Sequence, residues 1–278
     1  MSDSPPEPGF SLSSASLRLR AADEPPAPAR HASTVALLRD TPEGLEVFLV
    51  RRGTNLNFAG GAMVYPGGAV DEADRDPALL EHWAGPAPEA FSRPLLADEE
   101  MSRGLVVAAV RETFEEAGVL LATAPAAGWA NPERLEALRV ELRAGRTGLP
   151  QVLEETGLAL DAGCLQPFAH WITPESEPRR FDTRFFLAKT PEGQHATHDG
   201  EESASGTWMR PADALESSRR GECFMLPPTV FTLQELAGYS SVSQAFQATA
   251  GRDVPAILPR LEYGEDGIRF FLPTDPGY

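Results

Sequence analysis

Short apolar runs broken by glycine and proline fill the chain up to about residue 70, and helical spacing of apolar positions dominates beyond residue 100. Ser33–Leu38 and Glu46–Arg51 are β-prone runs separated by the turn-forming Asp40-Thr41-Pro42-Glu43-Gly44, which predicts a hairpin. Residues 60–71 read as short strands punctuated by the glycine pairs Gly60-Gly61 and Gly67-Gly68. From about Asp76 to Asp98, proline, tryptophan, alanine and acids mix without a period, so this stretch reads as an irregular or partly helical excursion. Ser102–Ala117 has no glycine or proline after Gly104, spaces Leu105, Ala108, Ala109 and Ala117 near helical intervals, and stops at Gly118. That is a predicted helix. Pro132–Ala144 is a second one, opened by Asn131 as N-cap and by proline at the first position.

Further along, Leu149–Thr156, Pro211–Arg219, Pro228–Gly238 and Ser240–Ala250 are expected to be helical. Leu165–Thr173, Thr183–Lys189 and Thr207–Arg210 are expected strands, and Ile257–Tyr278 a proline-interrupted hairpin at most. No internal repeat is present, and the irregular alternation of strands and helices predicts a mixed α/β class. Residues 1–30 are rich in Pro, Ser, Ala and charge, with too little apolar surface to offset ordering entropy. They are expected to form a disordered arm, followed by one domain over residues 31–278 with an insertion at about 75–102.

Composition narrows the function classes. The chain has 278 residues, 42% hydrophobic and 23% charged, within the ordinary globular range. A net charge of −17 and a pI near 4.7 argue against a nucleic-acid partner, although a divalent cation can bridge an acidic protein to a phosphorylated small molecule. No apolar run approaches the ~18 residues of a membrane span. Cys164 and Cys223 cannot form a disulfide framework, and neither lies in a metal-ligand pattern. Without an apolar N-terminal segment beside Asp3 and Glu7, a secretory signal is not expected, and the cytoplasm is the default location.

The stretch with chemical content is Arg111-Glu112-Thr113-Phe114-Glu115-Glu116-Ala117-Gly118-Val119. On a helix turning about 100° per residue, Glu112, Glu115 and Glu116 share one face within an arc of roughly 100°. Like charges at i,i+4 repel by about 0.2–0.5 kcal/mol. Nothing local compensates except Arg111, which projects about 100° away from Glu112. A hard divalent cation would compensate fully, since Mg²⁺ favours carboxylates, phosphates and water; a solvated acidic face is the bland alternative. Leu153-Glu154-Glu155-Thr156-Gly157 repeats the short EExG pattern, but with Gln151 in place of the first glutamate and Pro150 in place of the arginine, and reads as a surface helix end.

Taken with Tyr65-Pro66-Gly67-Gly68-Ala69-Val70-Asp71, the acidic helix resembles the Nudix hydrolase signature. That box is a glycine, five residues, a glutamate, seven residues, then RE, an aliphatic, any residue, EE, any residue, Gly and an aliphatic. The resemblance implies an α/β/α sandwich around a mixed sheet, with a helical insertion and extra C-terminal helices. It also implies Mg²⁺- or Mn²⁺-dependent cleavage of a nucleoside diphosphate linked to another moiety. Here 42 residues separate Gly68 from Arg111, about 29 more than the uninterrupted box has. Arg103 stands where the box glutamate belongs, with Asp74, Glu99 or Glu100 as substitutes. An interrupted box of this kind, with His170-Trp171-Ile172-Thr173-Pro174 and Arg180-Phe181-Asp182-Thr183-Arg184-Phe185-Phe186, resembles the mitochondrial and peroxisomal coenzyme A diphosphatase type and its bacterial relatives. That subgroup cleaves coenzyme A and acyl-CoA to a 4′-phosphopantetheine and adenosine 3′,5′-bisphosphate.

By this resemblance Glu112, Glu115 and Glu116 bind the metal, with Glu116 central to catalysis, and Arg111 orders loop and helix. Gly67 and Gly68 permit a tight backbone before the helix and border the substrate. A general base is expected from a separate loop, at Glu202 or secondly Glu201, six and seven residues before Trp208. His195 and His198 lie nearby and read as surface histidines. Strand alternation puts Asp182 and Arg184 on one face, where they either pair with each other or leave Arg184 to reach a substrate phosphate. Phe181 is a candidate to stack on adenine, Arg51 and Arg52 are phosphate candidates at a strand end, and His170 and Trp171 read as packed core. The expected partner is a small nucleotide, with no nucleic acid and no membrane. The insertion is compatible with a lid, a homodimer contact or neither. The rival functions are cleavage of ADP-ribose or NADH, and a non-catalytic nucleotide-sensing module.

Overall fold

The computed structural model describes residues 25–53, 60–123, 128–129, 131–197, 203–264, 267–276 and 278. In chain order the strands and helices are β1 (Ala29–Thr41), β2 (Gly44–Arg52), β3 (Ala62–Val64), β4 (Gly67–Ala69), β5 (Trp83–Ala84), α1 (Glu89–Leu95), α2 (Glu99–Ala117), β6 (Ala122–Thr123), α3 (Pro132–Arg143), α4 (Leu149–Thr156), β7 (Ala159–Asp161), β8 (Leu165–Ile172) and β9 (Arg180–Lys189). They continue with β10 (Ser203–Met209), α5 (Pro211–Arg219), β11 (Phe224–Met225), α6 (Pro227–Leu236), α7 (Val242–Thr249), β12 (Ala256–Ile257), β13 (Arg260–Gly264) and β14 (Gly267–Phe271).

Nine strands form one mixed sheet in the order β11-β3-β2-β1-β9-β8-β12, with β10 on β2 and β4 on β1. The predicted hairpin is β1–β2, paired antiparallel from Thr41 opposite Gly44 to Leu38 opposite Val47. Both strands are apolar on both faces because helices cover both sides of the sheet. Val35, Leu37, Phe48 and Val50 pack into a core beneath α2, α3 and α4. Ala36, Leu38, Val47 and Leu49 pack into a second core beneath α5, α6 and α7. Burial on both faces explains the near-continuous apolar runs, and the result is an α/β/α sandwich around a mixed sheet.

β1 leaves β2 towards its N-terminal half and pairs with β4 there, Ser33 opposite Gly68 and Thr34 opposite Gly67. β2 instead pairs at its far end with β3 and β10. The sheet therefore splays between these two groups, at the level of the paired glycines.

Helix α2 starts at Glu99, three residues before the predicted start, because Asp98 caps it by accepting from the Met101 N–H at 2.8 Å. Its middle, Leu105 to Val110, is apolar all round, as expected of a helix covered on several sides; Leu105, Val106 and Val110 are fully buried. The insertion folds into two 3-10 turns (Ala73–Arg75 and Pro77–His82), β5 and α1, and its Leu79, Phe91 and Leu95 join the core beneath α2. A small sheet of β5, β7 and β6 lies apart from the large one; its two- and three-residue strands are too short to carry a sequence period. The tail forms the hairpin β13–β14. Among the described residues, no helix is long and apolar enough to cross a membrane. Cys164 and Cys223 are both free, and burial pushes the Cys164 thiol up to about 12.

Candidate functional site

The splay in the sheet opens into a cavity of about 590 Å³ bordered by Gly67, Gly68, Glu112, Glu115 and Glu116. α2 delivers the three carboxylates from its last two turns. Its C-terminal end is held from outside by Arg139, whose Nε donates to the Glu115 carbonyl at 3.0 Å. The helix stops at Gly118, where φ is +69° and a Cβ would lie 2.9 Å from the Arg139 guanidinium.

Arg111 organises the acidic face more directly than the helical wheel suggested. Its side chain folds back along the helix, donating from Nη1 to Glu112 Oε1 at 2.8 Å and to Glu115 Oε1 at 3.4 Å. The other edge of the guanidinium grips Asp74 through two bonds of 2.8 and 2.9 Å and reaches the Ala69 carbonyl at 3.0 Å. Contrary to the expectation from the helical wheel, Arg111 therefore does not project away from Glu112. A long, flexible side chain spans the roughly 100° that separates two neighbours on a helix.

Asp74 is not a spare ligand for a cation. It is buried, and both its oxygens are engaged by Arg111, with the Asp71 N–H adding a third bond at 2.9 Å. Glu100 pairs with Arg75 at the surface, and Arg103, in the position of the missing box glutamate, is buried and donates to the Arg75 carbonyl. Arg103 thus holds the insertion against α2. Asp71, exposed at the cavity rim and 3.6 Å from Arg111, is the acid that the sequence reading overlooked.

Gly67 and Gly68 act by close approach rather than by an unusual turn. A Cβ on Gly68 would fall 2.3 Å from Glu112 Oε1, and one on Gly67 would fall 2.4 Å from the Ser33 carbonyl. The Gly67 N–H donates to Glu116 Oε2 at 3.0 Å. Burial, opposed by Arg111 and reinforced by Glu115, pushes the Glu112 carboxyl up to about 7. Burial also raises Glu115 above the ordinary carboxylate range, again against the pull of Arg111. Among the described residues, no three His, Cys, Asp or Glu side chains already form a closed metal cage. The donor set nevertheless fits a hard cation: three carboxylates border one cavity, and burial disfavours the bare charges of Glu112 and Glu115, which a bound cation would offset.

Of the other sequence candidates, Arg52 and Phe181 line the cavity and Arg51 does not. The Arg52 Nε is buried without a hydrogen-bond partner. Arg184 is a correction. Alternation along β9 turns Phe181, Thr183 and Phe185 into the cavity and sends Arg184 to the opposite face. There it is buried, pairs with Asp182 at 2.6 Å and donates to the Leu95 carbonyl of α1 at 2.9 Å, so it anchors the insertion. His170 bonds the same Asp182; burial works against the Asp182 charge, but His170 and Arg184 together bring its carboxyl down to about 2. Trp171, read as core, is buried but also faces the cavity and packs on Phe231 with ring centroids 5.5 Å apart. No residue of 75–102 lines the cavity, so the insertion does not form its lid in this structure. His195 is exposed, and His198, Glu201 and Glu202 lie outside the described residues. The control repeat is a surface helix end, with Glu155 paired to Arg134.

Comparison with known proteins agrees with this geometry. The chain is 30% identical over 275 residues to the acyl-coenzyme A diphosphatase NUDT19 of Homo sapiens, covering 85% of this chain and 73% of that protein. The Gallus gallus protein of the same name is 28% identical over 278 residues, covering 85% and 74%. Among solved structures, a Nudix hydrolase from Alicyclobacillus acidocaldarius superposes with a TM-score of 0.66 at 30% identity, over 79% of this chain and 96% of that one. The model of the NUDT19 Nudix domain matches residues 14–236, which span the splayed sheet, the acidic helix and the insertion, and the chain belongs to that family of Nudix hydrolases.

Proposed function

We propose that this enzyme hydrolyses the diphosphate of coenzyme A or an acyl-CoA ester with a divalent cation, Mg²⁺ or Mn²⁺. The observation that carries the reading is the shared cavity: the carboxylates of Glu112, Glu115 and Glu116 border the same space as Arg52 and Phe181. Named activities of the relatives support the substrate class. When bound by Glu112, Glu115 and Glu116, the cation would neutralise the diphosphate and lower the pKa of an attacking water.

The remaining work falls to the chain. Arg111 holds Glu112 and Glu115 in place, and Gly68 leaves room for the Glu112 carboxylate against β4. Arg52 offers an unpartnered Nε–H to a phosphate oxygen, and Phe181 offers a ring to a base. The proton of the attacking water is assigned to Glu202, with Glu201 second. In support, Ser203, the next residue, pairs across the sheet with the cavity-lining Arg52. Two free cysteines support a cytoplasmic placement.

Product analysis tests the reading. Purified protein with Mg²⁺ is expected to release adenosine 3′,5′-bisphosphate from coenzyme A and acetyl-CoA. Cleavage of ADP-ribose or NADH alone would keep the metal chemistry and discard the substrate assignment, and no cleavage of any of the four with Mg²⁺ or Mn²⁺ would favour a sensing module.

A pH effect follows from Glu112. Its folded pKa of about 7 lies above the ordinary 4.5, so the folded protein binds this proton more tightly than the unfolded chain. That contribution to stability is complete below about pH 4.5 and is lost as pH rises towards 7. A cation at Glu112 competes with the same proton. The rise in melting temperature caused by Mg²⁺ is therefore expected to be larger at about pH 8 than at about pH 6, as read by thermal scans. A shift that is the same at both would remove Glu112 from the site.

A further inference from the structure

The loop between β8 and β9 presents to the cavity a buried carboxylate, one oxygen of which has no hydrogen-bond partner. Glu177 lines the cavity and is only 4% exposed, yet its Oε1 has no hydrogen-bond partner. The loop around it is well anchored. The Glu177 N–H donates to the Pro174 carbonyl at 3.2 Å, the Phe181 N–H donates to Thr173 Oγ1 at 3.0 Å, and the buried Arg180 donates to the Thr173 and Ala27 carbonyls. Burial alone raises the Glu177 carboxyl above the ordinary range, with no neighbouring charge to offset it.

A buried polar atom without a partner destabilises a fold, and such atoms are rare enough that one facing a cavity points to a group that enters it. The register of the sheet shows which part of a ligand Glu177 can meet. Phe181 lies opposite Arg30 and Phe185 opposite Thr34, which in turn lies opposite Gly67. Four strand residues, about 13 Å, therefore separate the glycine level, where Glu112 packs, from the end of β9 that carries this loop. The same cavity is lined by the exposed Arg30 and Arg179 and by the ring of Phe181.

We propose that Glu177 determines substrate specificity, its carboxylate accepting a hydrogen bond from an N–H or O–H donor that the substrate carries away from its diphosphate. The inference rests on the diphosphatase reading above. Coenzyme A has two sources of such a donor, the exocyclic amine of the base and the amides and hydroxyl of the pantetheine arm. A site built around a substrate donor discriminates strongly, because an analogue without the donor leaves the buried acceptor unsatisfied.

The test uses the full chain with Glu177→Leu and Glu177→Gln. Thermal melts, kcat and KM on coenzyme A with Mg²⁺, and calorimetric binding of adenosine 3′,5′-bisphosphate and of 4′-phosphopantetheine are measured for each. In Glu177→Leu the melting temperature is expected to hold or rise, since an unpaired buried acceptor is removed. KM is expected to rise about 10–100-fold, with kcat within about threefold. One of the two half-molecules is expected to lose the same factor in affinity while the other keeps it, and the one that loses it identifies the donor. Glu177→Gln, which keeps an acceptor oxygen, is expected to recover part of the loss. Unchanged KM and unchanged binding of both halves in an active Glu177→Leu protein would overturn this inference and leave the diphosphatase reading standing. A collapse of kcat at constant KM would overturn it in favour of a role in the chemistry. Wild-type protein that leaves coenzyme A intact would overturn both.

Discussion

Glu116→Gln is expected to lower kcat on coenzyme A by about 10²–10³-fold or more at saturating Mg²⁺, with the melting temperature at or above that of the wild type. The two halves of this expectation have different causes. Structurally, Glu116 is buried and uses one oxygen to accept from the Gly67 N–H. An amide oxygen of the same shape can accept that bond, so the tie between α2 and β4 survives. Electrostatically, one of three carboxylates bordering a common cavity loses its charge, which eases repulsion in the metal-free protein and removes a hard oxygen ligand. Steady-state kinetics beside a thermal melt separates the two. Wild-type turnover in this variant would exclude Glu116 from the metal site, and a collapsed melt would mean that its charge is needed for the fold.

Arg111→Met is expected to be the most destabilising single change at the site, by about 3–5 kcal/mol. The guanidinium is one charged group shared among Asp74, Glu112 and Glu115, with a further bond to the Ala69 carbonyl. Burial works against the charge on Arg111, and the Asp74 hydrogen bonds and the three carboxylates outweigh that, holding its pKa above the ordinary value. Removing the cation leaves Asp74 buried at 2% exposure without its partner. The glutamates, already raised by burial, then face each other unopposed. Denaturant unfolding measures the loss. The double variant with Asp74→Asn is expected to recover part of it, since the stranded charge is gone. Additive effects of the two substitutions would show that Asp74 and Arg111 are not coupled as the geometry indicates. Activity is expected to fall as well, because Glu112 and Glu115 lose the group that orients them.

Several elements were readable because a local rule and the tertiary environment agreed. The helix ending at Gly118 combined apolar spacing with a stop residue, and the β1–β2 hairpin combined two apolar runs with a proline-glycine turn. The EExG repeat at residues 153–157 was also legible as a surface helix end, from what it lacked. Other features had no local signal. Arg184 and Phe181 are three residues apart on one strand and both looked suited to a nucleotide, yet alternation puts them on opposite faces. Which face borders the cavity depends on α1 and α6, elements remote in sequence. Asp74 looked like a replacement ligand because only its side-chain chemistry was visible; its engagement by Arg111 spans 37 positions. Glu177 carried no pattern at all, since an unpartnered oxygen is defined only by the neighbours that fail to reach it.

The chain's order of residues by itself determined the class of fold, the acidic helix face and the family resemblance, because each rests on short-range spacing along one element. Tertiary structure alone decided that the sheet splays at Gly67 and Gly68 and that the insertion packs under α2 instead of covering the cavity. It also decided which of several arginines and carboxylates meet a ligand and which are consumed by one another. Those outcomes depend on long side chains and on strand faces brought together from distant positions, and a charge's role in a fold is set by its partner, which spacing along the chain does not specify.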